Sequence, residues 1–222
     1  KESIKIANDV YKNFLNKSLN TFGGPKKNIF DYNYIFKFRY KNFIKRILNK
    51  NEYNPYLIPN IYERSFEIIK QLKRRINYPT RIINKKPPKS KYILFALQMS
   101  PESTVDNWSP TFLNQLSLVT QVSNHIPYPY KLVIKNHFMS KYCYTREQLI
   151  SIAKIPNVYL IDTNILSFDL LKNSSLNITI GGSPALESAI MGIPSVIFQH
   201  SPFTVFSNCK RINNIENLTT TI

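Results

Sequence analysis

The 222-residue sequence has little glycine, cysteine and acidic charge: five Gly, two Cys and 13 Asp or Glu against 30 Lys or Arg. Cys143 and Cys209 stand far apart and form no Cys-x-x-Cys pair. This spacing excludes a disulfide-rich scaffold and a cysteine zinc site, and it favours a reducing compartment. The sequence has no apolar run long enough for a spanning helix, which takes about 18 residues. It also has no charged start followed by an apolar segment, so we expect no signal peptide.

Several well-known catalytic motifs are missing as well. The sequence contains no Walker A, Gly-x-Gly-x-x-Gly, His-Glu-x-x-His or nucleophile-elbow motif. Their absence excludes P-loop phosphoryl transfer, zinc proteolysis of that type and serine hydrolysis at an elbow. No cluster of metal-ligating residues stands out, so we expect a metal-independent protein without a cofactor. The apolar fraction of 43% is too high for a disordered chain, and the length suits one large or two small domains.

The net charge of +17 is confined to one part of the chain. Residues 1–90 hold 21 Lys or Arg and six Asp or Glu, a net +15, whereas residues 91–222 hold nine and seven, a net +2. The excess is either compositional, because Lys, Asn and Ile are all abundant, or a basic face for an anionic membrane or substrate. Nucleic acid is the weaker reading, because no helix-turn-helix, zinc-finger, RRM or KH signature accompanies the charge.

The pattern of apolar residues changes near residue 91. Apolar residues recur at helical spacing in the first 90 residues, including a run formed by Phe66, Ile69, Leu72 and Ile76. The stretch 84–91 contains Pro87-Pro88 and four lysines and predicts an exposed linker. We therefore predict a basic helical segment over 1–90 and a second domain over 91–222.

Short apolar runs alternate with helical patterns after residue 91. The predicted strands are 92–97, 131–135, 158–161, 176–180 and 195–198, and the predicted helices are 110–123, 145–153, 167–173 and 184–191. Continuous apolar strands alternating with helices are typical of a parallel sheet buried on both faces. The fold class predicted is α/β with a doubly wound parallel sheet, in which ligands bind at the carboxyl ends of the strands.

The loop after the fourth predicted strand holds three of the five glycines within twelve residues. It reads Gly181-Gly182-Ser183-Pro184-Ala185-Leu186-Glu187, and Gly192 follows. The glycines let the backbone approach a ligand closely, and Ser183 is a natural N-cap in front of Pro184. A helix starting there offers N–H groups and a positive dipole to an anion, with Glu187 within reach of sugar hydroxyls. A tight turn without any ligand is the alternative.

Three further loops carry polar residues to the same rim. Glu102 follows the first strand, where a carboxylate can orient or deprotonate an acceptor, although Ser103 and Asp106 also match a capping box. Lys135 and His137 end the second strand and suit a phosphate or leaving group. The stretch 162–164 follows the third strand and suits a base or ribose pocket, and capping of the next helix is the better reading for Ser167.

The order of these motifs resembles the C-terminal, nucleotide-sugar-binding half of capsule and surface polysaccharide biosynthesis proteins. Those are GT-B-type glycosyltransferases, some of them Kdo transferases. The resemblance covers residues 92–200 and rests on Gln-x-x-Pro-Glu-Ser, Lys-x-His, Ile-Pro-Asn-Val and Gly-Gly-Ser-Pro-Ala-x-Glu-Ser-Ala-x-x-Gly-x-Pro. Asn136 and Phe138 stand where the family usually has Glu and Pro. A more distant likeness is to UDP-GlcNAc 2-epimerases, which share the Gly/Ser and Glu loop.

The resemblance implies a Rossmann-like domain that binds a CMP- or UDP-linked sugar donor as substrate. It assigns His137 to the donor phosphate and Glu102 to the active cleft as catalytic residues. It assigns Gly181, Gly182 and Ser183 to the phosphate or diphosphate and Glu187 to the ribose, and Lys135 supports them as a binding residue. Residues 1–90 are then a remnant of, or a link to, a first GT-B domain, and the C-terminal domain lacks the usual closing helices.

The function predicted is therefore a glycosyltransferase of capsular or surface polysaccharide synthesis, with a glycan or lipid-linked acceptor. We expect it in the cytoplasm, held at the inner face of the plasma membrane through residues 1–90. A nucleotide-sugar epimerase is the second enzyme hypothesis. A non-catalytic basic module that docks on a membrane or polymer is the hypothesis from a different class.

Overall fold

The computed structural model describes residues 61–98, 112, 114–137 and 141–222. The helices predicted within the first 60 residues lie outside this part of the chain, as do Glu102, Ser103 and Asp106. Strands and helices are numbered below along the described residues.

A parallel sheet forms the centre of the described domain. Its strands lie in the order β3-β2-β1-β4-β5-β6, and every neighbouring pair is parallel. Their bounds are β1 (Tyr92–Ala96), β2 (Lys131–Lys135), β3 (Val158–Ile161), β4 (Leu176–Thr179), β5 (Ser195–Ile197) and β6 (Cys209–Arg211). The order reverses between β1 and β4, so the sheet is doubly wound and its crevice opens beside these two strands. The α/β prediction is confirmed.

Helices cover both faces of this sheet. Their bounds are α1 (Ile61–Ile76), α2 (Gln115–Asn124), α3 (Arg146–Ala153), α4 (Ser167–Lys172), α5 (Ser183–Ile190) and α6 (Asn217–Thr221). Apolar side chains of α2 and α3 form one core cluster with alternate residues of the central strands, such as Phe95 and Ile134. On the opposite face, Leu94 and Val133 pack with Leu170 and Leu171 of α4. The central strands β1 and β2 are therefore buried on both faces, which explains their continuous apolar runs.

The predicted strands and helices of this domain agree with the structure to within one residue at each end, except the helix predicted over 110–123, which is Gln115–Asn124 in the structure. Two cap predictions were wrong. Ser167 is the first residue of α4, and Leu166 occupies the N-cap position without a side-chain hydrogen bond. Ser183 is likewise the first residue of α5, and Gly182 occupies the N-cap position. In both cases the N-cap residue, which has extended backbone, lies one residue earlier in the chain than the serine that was predicted to cap the helix. The short strand β6 was not predicted, because its three residues, Cys209 to Arg211, have no apolar pattern.

The first residue of the predicted linker and several residues just before it contact the sheet domain. Asn84 forms a parallel bridge with Ile161 at the β3 edge, and its backbone N–H donates to the carbonyl of Leu160 over 2.9 Å. Tyr78, Ile82 and Ile83 pack against the larger core cluster. The stretch just before the predicted boundary therefore extends the sheet edge, while the boundary itself stays a prediction.

Helix α1 contacts the loop that follows β2. The Arg74 guanidinium donates to the carbonyl oxygens of Cys143, over 2.6 Å, and Tyr142, over 3.4 Å. Tyr78 and Tyr142 stack edge to face with ring centroids 5.3 Å apart. The end of the basic helix is thus fixed to a loop that begins close to His137. Within the described ranges, no helix combines the length and apolarity needed to cross a lipid bilayer.

Candidate active site

The crevice at the reversal of strand order is bordered by the chain after β1 and the chain after β4. Gln98 stands two residues beyond β1, and Gly181-Gly182 lead from β4 into α5. Parallel strands all end at the same edge, so Lys135 and His137 reach this edge from β2 and Asp162 reaches it from β3. The sheet order therefore brings together most of the residues that the sequence placed on one rim.

Neighbouring side chains occupy the space that a Cβ atom would need at Gly181 and Gly182. Neither has a positive φ, unlike Gly192, whose φ of 72° ends α5 in the left-handed conformation. A Cβ on Gly181 would overlap the side chain of Gln199, and a Cβ on Gly182 would lie 2.6 Å from the Gln98 Nε2 atom. The close approach predicted from these glycines is therefore made by two buried amide side chains of the protein.

The first turn of helix α5 follows the end of β4 and lies at the crevice. Gly182 at the N-cap has extended backbone, and Pro184 in the first turn has no N–H group. The Asn177 amide donates to the Pro184 carbonyl and to the Ser188 hydroxyl, both over 3.1 Å, and so fixes the helix onto β4. The positive end of the helix dipole consequently faces the same edge as Lys135.

Lys135 is a cation buried at the end of β2. Its side chain is 6% exposed, and burial lowers the pKa of its ammonium group to about 8, although the Glu187 and Asp162 carboxyls act in the opposite direction. A buried ammonium that stays charged near neutral pH needs nearby anions. Lys135 therefore has two carboxyl neighbours and is still mostly protonated at pH 7.

Glu187 is the buried carboxyl of this site. It lies one turn inside α5 and is 6% exposed. Burial raises the pKa of its carboxyl to about 7, and the positive charge of Lys135 limits that rise. The Glu187 and Lys135 groups thus titrate close to neutral pH, which is the range in which a side chain can exchange protons effectively.

His137 is partly buried beside Lys135. Burial lowers the pKa of its imidazole to about 4, and the positive charge of Lys135 lowers it in the same direction. The ring is therefore neutral at pH 7 in the free protein and can donate one N–H hydrogen bond. The sequence predicted that His137 would contact a phosphate, and in the structure its imidazole is uncharged before any ligand binds.

Residues that follow β2 and β3 form the remaining part of this edge of the sheet. The Asn136 side chain hydrogen-bonds to the Cys143 thiol, whose pKa is raised by burial, and so joins the strand end to the loop held by Arg74. The Asp162 carboxylate accepts the N–H of Asn164 over 2.9 Å, forming a local turn. Thr163 is buried, and its hydroxyl has no hydrogen-bond partner among the described residues. Asp162 thus acts on the site mainly through its charge.

Three glutamines of this site were not singled out by the sequence reasoning. Gln98 and Gln199 cover the two glycines, and Gln115 is 1% exposed at the start of α2. An uncharged amide gives little signal in a single sequence, although Gln98 opens the Gln-x-x-Pro-Glu-Ser motif. In the described ranges, no group of three or more His, Cys, Asp or Glu side chains is arranged to hold a metal ion.

Comparison with solved structures finds similar folds at low identity. The beta Kdo 2,7 transferase KpsC from Thermosulfurimonas dismutans matches with a TM-score of 0.46 and 20% identity, over 78% of this chain and 52% of that chain. The UDP-GlcNAc 2-epimerase from Methanocaldococcus jannaschii, in complex with UDP-GlcNAc and UDP, matches with a TM-score of 0.45 and 17% identity, over 69% and 44%. For the enzyme from Neisseria meningitidis bound to UDP-GlcNAc, the values are 0.42, 18%, 71% and 42%.

The chain spans about half the length of the solved structures that it matches. No family model matches the sequence, and no curated protein is significantly similar to it. Identities and TM-scores at this level do not identify a reaction or a substrate. The function has to be argued from the side chains at the crevice.

Proposed function

We propose that this chain is the nucleotide-sugar-binding part of a glycosyltransferase of capsular or surface polysaccharide synthesis. It would transfer a sugar from a CMP- or UDP-linked donor to a glycan or lipid-linked acceptor. The observation that carries the proposal is the electrostatic coupling of Lys135 to both His137 and Glu187 at the crevice of a doubly wound sheet. A ligand with a phosphate and hydroxyl groups matches this combination of a cation, N–H donors and a carboxyl.

The arrangement suits the charge that develops during glycosyl transfer. As the bond between the sugar and the phosphate breaks, the sugar becomes oxocarbenium-like and negative charge grows on the departing phosphate. Lys135 and the start of α5 at Gly182 and Ser183 would stabilise that charge, and the neutral His137 ring would donate a hydrogen bond to it. Glu187 would hold the ribose, and Glu102 would orient or deprotonate the acceptor hydroxyl.

Binding of nucleotide sugars by the full chain tests this proposal. We expect calorimetry with UDP-GlcNAc and with CMP-N-acetylneuraminate to detect binding of at least one of them. His137→Ala should weaken it about 10- to 100-fold, since a hydrogen bond to a charged group contributes about 1.5–3 kcal/mol.

His125→Ala is the matched control. His125 caps the far end of α2 and hydrogen-bonds to Thr219 over 2.8 Å, so its loss should leave the affinity unchanged. Absence of binding to any nucleotide sugar, or equal losses in the two variants, would contradict the proposal.

The epimerase hypothesis is favoured by one feature, the pairing of Glu187 and Lys135 with pKa values of about 7 and 8. Epimerisation moves protons at neutral pH, and groups that titrate there are suited to it. Incubation of the donor without any acceptor separates the two reactions, because only an epimerase would convert the sugar under that condition.

We further propose that α1 holds the protein against an anionic membrane, at the inner face of the plasma membrane. Phe66, Ile69, Leu72 and Ile76 recur at helical spacing and are 50–82% exposed. Basic residues of the last turn, Lys73 to Arg75, lie beside this apolar stripe. A helix with these two properties can bury its apolar side chains among lipids while its cations meet anionic headgroups.

A further inference from the structure

Gln98 is held firmly at the crevice, where the strand order reverses. The Gln115 side chain binds its backbone on both sides. The N–H of Gln98 donates to the Gln115 Oε1 atom over 2.8 Å, and the Gln115 Nε2 atom donates to the Gln98 carbonyl over 3.2 Å. Both residues are buried, with exposures of 6% and 1%. This reciprocal contact fixes where the Gln98 side chain begins, two residues beyond β1.

One end of the Gln98 amide is left without a hydrogen bond. Its Nε2 atom lies against Gly182, whereas its Oε1 atom is buried and has no partner among the described residues. A buried acceptor without a partner costs about 1–3 kcal/mol, so each such atom needs a physical explanation, such as a role in binding. Substitution by an apolar residue of similar shape would remove this cost. The Gln98 Oε1 atom therefore needs a hydrogen-bond donor as its partner.

The surroundings restrict the chemistry of that partner. Gly182 and Ser183 begin α5, whose positive end favours an anion, and Lys135 provides positive charge at the neighbouring strand end. A phosphate fits these groups but cannot donate to the Gln98 Oε1 atom when it is ionised. A ligand that satisfies both carries an O–H or N–H donor next to its phosphate, as the sugar of a glycosyl phosphate does.

We propose that Gln98 accepts a hydrogen bond from a hydroxyl of the sugar that is attached to the donor phosphate, and so distinguishes the nucleotide sugar from the free nucleotide. This inference rests on the proposed function and adds a specificity-determining residue to it.

Gln98→Met in the full chain tests the inference, because methionine keeps the length of the side chain and removes its acceptor. Calorimetric titrations would compare UDP-GlcNAc with UDP, and CMP-N-acetylneuraminate with CMP. We expect the affinity for the bound nucleotide sugar to fall about 5- to 10-fold and that for the matching nucleotide to change less than about twofold. Gln121→Met, on the exposed side of α2, is the control and should change neither affinity.

Thermal unfolding of Gln98→Met separates recognition from folding. Because the Gln98 Oε1 atom has no partner in the free protein, the melting temperature should not fall; a lower one would assign the side chain a structural role instead. Equal weakening of nucleotide and nucleotide sugar would overturn the assignment to the sugar, and unchanged affinity for both would overturn any role in binding. If the wild type binds no nucleotide sugar, the proposed function itself fails, and with it this inference.

Discussion

At the scale of single residues, the clearest feature is the contact between two glycines and two glutamines. Gln98 follows β1 and Gln199 follows β5, and their side chains lie directly over Gly182 and Gly181. The sequence indicated that something approaches this backbone closely, because glycine is so rare elsewhere in the chain. It could not indicate which group does so, since the glutamines are distant along the chain and carry no charge or periodicity.

Gly181→Ala should destabilise the protein by about 1–3 kcal/mol, because a Cβ there would overlap the Cγ, Cδ and Nε2 atoms of the buried Gln199 side chain. A double-mutant cycle with Gln199→Ala, measured by urea unfolding, isolates this overlap. The double variant should be more stable than the sum of the single changes predicts, by about 1 kcal/mol or more.

Gly192 provides a comparison with a different physical cause. Its Cβ would meet nothing within 4 Å, but its φ is positive, so Gly192→Ala should cost about 1 kcal/mol through backbone strain alone. Combined with Gln199→Ala, this change should be additive. Additivity in the Gly181 cycle as well would show that Gln199 moves aside without cost.

At the scale of secondary structure, the sequence was sufficient for most strands and helices of the described domain. The central strands β1 and β2 carry uninterrupted apolar runs, Ile93–Leu97 and Leu132–Ile134, because both faces of the sheet are covered. The first turns of the helices were harder to place. Thr145 does form a capping box with Gln148, but at α4 and α5 the N-cap position is occupied by Leu166 and Gly182, and no side chain caps either helix.

Helix α1 gives the prediction at this scale. Phe66→Ser and Ile69→Ser should each weaken binding to vesicles containing phosphatidylglycerol about tenfold or more, because transfer of each side chain from water contributes about 1.5–3 kcal/mol. Sedimentation of the full chain with vesicles measures this partitioning. Pure phosphatidylcholine vesicles should reduce it because their surface has no net charge, and higher salt should reduce it because it screens the adjacent cations.

Val205→Ser is the matched control, because Val205 is 81% exposed and lies far along the chain from α1. It should bind vesicles as the wild type does. Equal partitioning of all three variants, or equal binding to both vesicle types, would contradict membrane docking through this stripe.

At the scale of the whole molecule, charge is distributed unevenly along the sequence and between the surface and the interior. Most of the positive excess lies in residues 1–90, whereas Lys135 and Glu187, among the described residues of the crevice, are buried. The sequence predicted which residues would reach the rim, because strand ends in a parallel sheet meet at one edge. It did not predict their protonation, because burial and the mutual effects of Lys135, Glu187 and His137 depend on packing in three dimensions.

Protonation of Glu187 links the candidate site to the stability of the whole domain. Its pKa is about 7 in the folded protein and ordinarily 4.5, so the folded state binds this proton more tightly. The resulting stabilisation is complete below about pH 4.5 and is lost as the pH rises through about 7. His137 acts in the opposite sense, because its lowered pKa gives stabilisation that is complete above about pH 6.5 and lost toward pH 4.

Glu187→Gln should remove the Glu187 contribution and leave that of His137. We expect the difference in unfolding free energy between this variant and the wild type to grow by about 2 kcal/mol, in favour of the variant, from pH 5 to pH 8. Urea unfolding across this range measures that difference. Glu147→Gln is the control, because Glu147 is exposed and its pKa is lowered, so both states are ionised throughout. A difference that stays constant for Glu187→Gln would mean that Glu187 is already ionised at pH 5, with the Lys135 ammonium keeping it so.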